Sequence, residues 1–285
     1  LAENLVLQNL FNAVTKLLEA IAINSISEKV RPKRTVVVKR RNIHSKQLAD
    51  LTNLYFRVAG IPIRFWSKVE DWQRWEVNCF EMLNSDCFHA YAAGTRTIIA
   101  DKLPGESLWE HLNRGTLTRQ MLRAAAEELR RAHELWSNEF RGPWSHGDAS
   151  ITNVIYDAKN NRARWVDFEM CHQKSLAAAA RHANDLLMFL LDLVGTVRTR
   201  EWFVFSTAFL EAYGDREVIA QLQQQLDLPG GLAWIWWRVR TNFTNPVKVK
   251  RRLANLSRAI GELKFTRMQV GPSSAENGGL RLLAS

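Results

Sequence analysis

A chain of 285 residues with 46% hydrophobic and 24% charged side chains has room for one large domain or two lobes, and its composition argues against a disordered or fibrous protein. Three cysteines, Cys79, Cys87 and Cys171, are odd in number and lack metal-ligand spacing, so neither a disulfide framework nor a zinc site is indicated and a reducing, cytoplasmic setting is expected. The net charge of +10 calls either for an anionic partner (nucleotide, phosphorylated glycolipid, anionic membrane face or nucleic acid) or for a solvated basic surface.

The first predicted element is a helix over residues 3–23, where Leu7, Leu10, Phe11, Val14, Leu17, Leu18 and Ile21 recur at three- and four-residue spacing. Glu3 and Glu19 stand beside a single Lys16, a poor match to the cationic face of an interfacial membrane helix, so core or partner packing is expected. Residues 29–46 hold eight Lys or Arg and no acid. Within them residues 35–39 are a β-branched run, read as a strand ending at Lys39. A helix is predicted over 46–58 (Leu48, Leu51, Leu54, Tyr55, Val58), closed by Gly60 and Pro62, and another over 71–83, with Asp71 as its N-cap. Trp72, Phe80 and Leu83 form the apolar stripe of the second helix, and Glu76 falls on that stripe while Glu81 projects away. A carboxylate on a buried face needs a cationic partner, whose loss costs about 3–5 kcal/mol.

Residues 95–100 read as a strand, 101–105 as a turn through Pro104 and Gly105, and Ser107 as the start of a helix. Thr118 caps a strong helix over 118–136. Further helices are expected over 175–194, 202–213, 231–243 and 247–263, and residues 271–285 form a Gly-, Ser- and Asn-rich tail expected to be flexible. The best apolar run, 186–194, is interrupted by Asp192 and followed by Gly195, so no membrane span is expected. Trp234, Trp236 and Trp237 interleave with Arg238 and Arg240. Such a cluster serves either the core of a helical lobe, the commoner case, or a surface for a sugar, lipid headgroup or single-stranded nucleic acid. Residues 238–267 carry nine Lys or Arg against Glu262 alone.

The chemistry is concentrated in residues 144–169, WSHGDASITNVIYDAKNNRARWVDFE. Residues 151–156 and 164–168 read as a hairpin joined through Lys159, Asn160 and Asn161. Asp148 and Asn153 then lie at its entry and Asp167 at its far end, which brings three oxygen ligands together. That set suits phosphoryl transfer, in which one carboxylate accepts a hydroxyl proton while an amide and a second carboxylate hold Mg²⁺ on nucleotide phosphates.

On these residues the stretch resembles the protein-kinase-like superfamily. Gly147 in His146-Gly147-Asp148 and Glu169 in Asp167-Phe168-Glu169 place it nearer the aminoglycoside-phosphotransferase and lipopolysaccharide-core-kinase branches. The resemblance implies a two-lobed α+β fold, with a small mixed N-terminal lobe over residues 1–100, a mainly helical catalytic lobe over 101–268 and a tail over 269–285. It implies Asp148 as catalytic base, Asn153 and Asp167 as Mg²⁺ ligands, and Lys39 paired with Glu76 to grip the inner phosphates of ATP. By the same resemblance adenine is read at Ala100, Asp101 and Lys102, His133 and His146 are scaffold, and Asp185 braces the catalytic loop. A surface pair between Arg181 and Asp185 is the alternative for the last.

Departures from the family pattern are specific. No glycine precedes Gly60, so the glycine-rich phosphate loop is missing; Lys33 and Arg34 are candidate replacements, or the first hairpin is shortened or trimmed. Ser150 stands where Ser/Thr protein kinases carry a lysine, and no Ala-Pro-Glu follows Asp167. The expected activity is therefore transfer of the ATP γ-phosphoryl group to a hydroxyl of a small molecule or a glycolipid sugar, in the cytoplasm or at the inner face of an anionic membrane, with nucleic acid not expected as partner. A compact atypical protein kinase and a pseudokinase scaffold stand as alternatives.

Overall fold

The computed structural model describes residues 23–262 apart from 33, 85, 86, 198 and 199. The helix expected over 3–23 (Ile23 excepted), Lys33 and the tail over 271–285 lie outside the described residues. The architecture is α+β and two-lobed, a small antiparallel sheet region followed by a helical part.

The sheet is built from β1 (Asn24–Arg31), β2 (Arg34–Arg41), β4 (Ala90–Ala92) and β5 (Thr97–Asp101), in the order β1-β2-β5-β4 and antiparallel throughout. Lys39 faces Ile26 on one side and Ile98 on the other. Because side chains alternate along a strand, Val37 shares the face of Lys39. The hairpin before the lysine is therefore present, without glycine, and β1 is an addition to the sequence reading. Residues 25–31 are exposed, Ile26 and Val30 included, so they join the sheet through backbone pairing rather than through a buried apolar face.

Between β2 and β4 lie α1 (Ser45–Val58), β3 (Ile63–Phe65) and α2 (Val69–Asn84). The expected helices are both found; α2 begins at Val69, so Asp71 sits in its first turn rather than at its cap. The α1–β3 unit crosses to the second half of the chain. There β3 pairs with β11 (Met170–His172), Ile63 opposite His172 and Phe65 opposite Met170, and Gln173 donates its N–H to the Pro62 carbonyl at 2.9 Å.

The second half continues through β6 (Glu106–Ser107), α3 (Leu108–Asn113), α4 (Arg119–His133), the short ribbon β7 (Trp136–Ser137) and β8 (Gly142–Pro143), then β9 (Val154–Asp157), β10 (Arg162–Trp165) and β11. Thr118 caps α4 as expected, accepting from the Met121 N–H. Helices α5 (Ala178–Thr196), α6 (Glu201–Tyr213), α7 (Arg216–Gln223), α8 (Ala233–Arg240) and α9 (Pro246–Ile260) complete it. Helix α7 is an addition to the expected elements: it buries Val218, Ile219 and Leu222 on one face and is started by Asp215, which accepts from the Glu217 and Val218 N–H groups. Apolar on nearly every side, α5 runs through the centre of the core, with Leu186, Phe189, Leu190 and Leu193 wholly buried and Phe189 stacked on Phe209 at 4.1 Å. Packing of α8 against the first half answers the tryptophan question in part: Trp236 meets Phe56 edge-on at 5.2 Å, and the Tyr55 hydroxyl donates to the Leu232 carbonyl at 2.9 Å. Among the described residues no helix is long and apolar enough to cross a membrane.

Candidate active site

The loop between β8 and β9 is held by one buried carboxylate. Asp185, fully buried on α5, accepts the His146 N–H at 2.8 Å and the His133 Nε2 at 3.1 Å on Oδ2, and the Gly147 N–H at 2.8 Å on Oδ1. His133 is fixed in turn by the Tyr213 hydroxyl at 2.9 Å. Burial alone would raise the Asp185 carboxyl, but His172 and His133 outweigh it and hold it well below the usual carboxylate range. Arg181 turns away to the Pro143 and Leu176 carbonyls and the Ser145 hydroxyl. Asp185 thus braces the loop, and the alternative surface pair is not formed. Gly147 is required at the bend: its φ is 84°, and a Cβ there would stand 2.8 Å from the Cys171 Cα. His146 donates from Nε2 to the Val166 carbonyl (3.1 Å) and is fully buried, and burial lowers its pKa against the pull of Asp185, in keeping with a scaffold role.

The hairpin is shorter at its start than the sequence suggests, because residues Ile151–Asn153 form a 3₁₀ turn that Ser150 caps through the Thr152 N–H at 3.1 Å. The turn swings Asn153 beneath Asp148. Its Nδ2 donates to the Asp148 carbonyl at 3.0 Å and to Oδ2 at 3.3 Å, and its own carbonyl accepts the Val166 N–H at 3.0 Å. Asp167 follows β10 with φ 66°, a left-handed conformation uncommon for non-glycine residues and found preferentially where backbone strain serves a site. Phe168 beside it is buried against His146 and Trp144, which anchors the turn.

Across the cleft, Lys39 and Glu76 meet as expected, Nζ lying 3.0 and 3.1 Å from the two Glu76 oxygens. The same ammonium reaches Asp167 at 2.5 Å and Glu169 at 3.2 Å. Burial would lower the Lys39 pKa, but Asp167, Glu169 and Glu76 together hold it well above its ordinary value. Glu169 is pushed up to about 7 by burial, Lys39 opposing and the two other carboxylates reinforcing. Arg74, the alternative partner for Glu76, pairs with Asp71 at 2.5 Å instead. Arg41 lies deeper, donating to the Trp66 carbonyl at 2.6 Å.

Lys39, Glu76, Ala100, Asp101, Lys102, Asn153 and Asp167 all line one cleft of about 580 Å³, with Val37, Ile98, Leu103 and Ile155 among its apolar walls. Asp148 is not in that lining and adjoins it through Asn153. The hinge is narrower than the sequence implies. The Asp101 and Lys102 N–H groups already donate to the His89 and Thr35 carbonyls at 2.8 and 3.0 Å. Leu103 is the next backbone donor and has no acceptor among the described residues. Arg34 does not replace the phosphate loop, being paired with Asp101 at 2.7 Å.

Two residues escaped the sequence reading. Arg240, at the end of α8, donates from Nη1 to Asp148 Oδ1 at 2.8 Å and from Nη2 to Asp192 Oδ2 at 3.4 Å. Asp192, on α5, also accepts the Ile151 N–H at 3.1 Å. In the sequence Asp192 is a break in an apolar run, and a carboxylate so placed requires a cation. Burial pushes Asp192 up to about 6, the Asp148 charge adding to it while Arg240, the Ile151 N–H and the Ser150 hydroxyl oppose. Since the unfolded carboxyl titrates near ~3.9, the folded state binds more protons between these values and this group's contribution to stability falls as pH rises from about 4 to about 6. Asp192→Asn is expected to abolish that loss. Urea unfolding at pH 4 and pH 7 checks it, the variant gaining up to roughly 3 kcal/mol on the wild type over the interval.

No family model matches the sequence, and a search of curated proteins finds no match. Among solved structures, the complex of Rv3197 with erythromycin from Mycobacterium tuberculosis matches with 16% identity, over 85% of this chain and 74% of that one, at a TM-score of 0.39. A likeness this distant assigns neither activity nor ligand.

Proposed function

We propose that the chain is an ATP- and Mg²⁺-dependent phosphotransferase of the protein-kinase-like kind, moving the γ-phosphoryl group to a hydroxyl of a small molecule or glycolipid sugar. The observation that carries this reading is the convergence of Lys39, Glu76, Asn153 and Asp167 on one cleft, with Asp148 beside it. The residues fit a magnesium nucleotide. Asp167, Glu169 and Glu76 gather round Lys39, and an amide and carboxylate oxygen set suits a hard divalent cation.

Asn153 and Asp167 would hold Mg²⁺, which when bound neutralises charge on the phosphates. Lys39, fixed by Glu76, would bear on the phosphate oxygens once Asp167 turns to the metal. Leu103 offers a backbone donor to the base, and Val37, Ile98 and Ile155 supply apolar walls. Asp148 would orient the attacking hydroxyl and take its proton. A pseudokinase scaffold, using the fold as an interaction surface, is the second reading, favoured by the absence of any glycine before Gly60.

Calorimetric titration of ATP, with and without Mg²⁺, tests the proposal. Wild-type chain is expected to bind in a metal-dependent manner and Asp167→Ala to bind at least about tenfold more weakly, the loss of one charge-assisted ligand. A folded wild type that does not bind Mg-ATP refutes it.

A further inference from the structure

Asp148 is the pivot of the proposed transfer, and nothing in its own loop supplies a cation to it: Ser150 is occupied in capping the 3₁₀ turn and in a hydroxyl pair with Thr152. The cation comes from 92 residues further on. Arg240 binds Oδ1 of Asp148 while Asn153 binds Oδ2, so both oxygens are oriented and each still has a lone pair to accept a proton.

Arg240 is itself immobilised. Its second arm rests on Asp192 at 3.4 Å, and its guanidinium lies 5.7 Å from the centre of the Trp236 ring, the same ring that packs on Phe56 of α1. The backbone behind it is pinned to α5: the Thr244 hydroxyl donates to the Gly195 carbonyl at 2.6 Å. Only glycine allows this approach, since a Cβ at position 195 would stand 2.5 Å from the Thr241 backbone. The result is a guanidinium shared between two carboxylates that would otherwise repel each other.

Resting on the phosphotransferase reading, we infer that Arg240 is a positioning residue for the transfer, fixing the Asp148 carboxylate and supplying from α8 the positive charge absent at position 150. The assignment takes α8 out of the list of candidate ligand surfaces and makes it part of the catalytic apparatus. It also gives α1 a task, since Tyr55 and Phe56 seat the helix that carries Arg240.

The test compares wild type, Arg240→Lys and Arg240→Ala by calorimetric binding of Mg-ATP and by release of inorganic phosphate from Mg-ATP with water as acceptor. Arg240 is outside the nucleotide cleft, so all three are expected to bind Mg-ATP with the same affinity, which also reports that each folds. The turnover of Arg240→Ala is expected to fall about 10- to 100-fold with KM for ATP unchanged, the kinetic equivalent of one charge-assisted hydrogen bond. Arg240→Lys should lie between, and methylguanidinium should restore part of the Arg240→Ala rate. Wild-type turnover in Arg240→Ala, or parallel loss of affinity and rate without rescue, overturns the positioning role and leaves the phosphotransferase reading standing. A folded wild type that fails to bind Mg-ATP overturns both.

Discussion

Asp148→Asn is expected to bind Mg-ATP as the wild type does and to transfer its phosphoryl group about 10²- to 10⁴-fold more slowly, the range of general-base assistance. The substitution keeps the shape of the side chain and an oxygen for Arg240, so the loop is expected to stay in place, but an amide cannot take up a proton. Because Asp148 stands outside the cleft lining, the loss should appear in turnover and not in affinity for nucleotide. Single-turnover transfer alongside calorimetry separates the two, and an equal loss in both would place Asp148 among the binding groups instead.

The other large effect is on folding. Asp185→Ala is expected to lower the unfolding free energy by about 3–5 kcal/mol, because it strips acceptors from the His146 and Gly147 N–H groups and from His133 at once. Asp185→Asn, which retains one carbonyl oxygen, should cost less. The sign with pH follows from the depressed folded-state carboxyl: its contribution is complete above the unfolded value near ~3.9 and is lost as pH falls through the folded one. The wild type's advantage over the alanine variant, measured in urea, should therefore hold at pH 7 and shrink below about pH 4.

Much of this site was legible because its parts sit on short, typed patterns. The Glu76 carboxylate on an apolar stripe declared its need for a cation, and His146-Gly147-Asp148, Asn153 and Asp167 lie within a span that a hairpin closes. What was not legible is whatever depends on chain segments far apart. The pairing of Arg240 with Asp148 has no local periodicity to betray it, and within the tryptophan-rich helix the arginine looked like one more member of a basic run. Glu169, which in sequence serves only to indicate a branch of the superfamily, meets Lys39 at 3.2 Å, a contact that required the strand and the turn to be placed in space. β3 and β11 are three residues each, too short for alternation to be visible, and their partnership could not be inferred from either alone.

That partnership bears on how the chain could be divided. Met170–His172 takes its backbone partners from Ile63–Phe65, which belongs to the first half of the sequence. Expressed without residues 45–66, the second half would carry an unpaired strand edge immediately behind Asp167, together with the Trp236 face that Phe56 covers. Open edges beside apolar surface invite association with other chains. The helical half is accordingly a poor candidate for independent life, and a gene split near residue 100 should yield two fragments that recover solubility only when produced together.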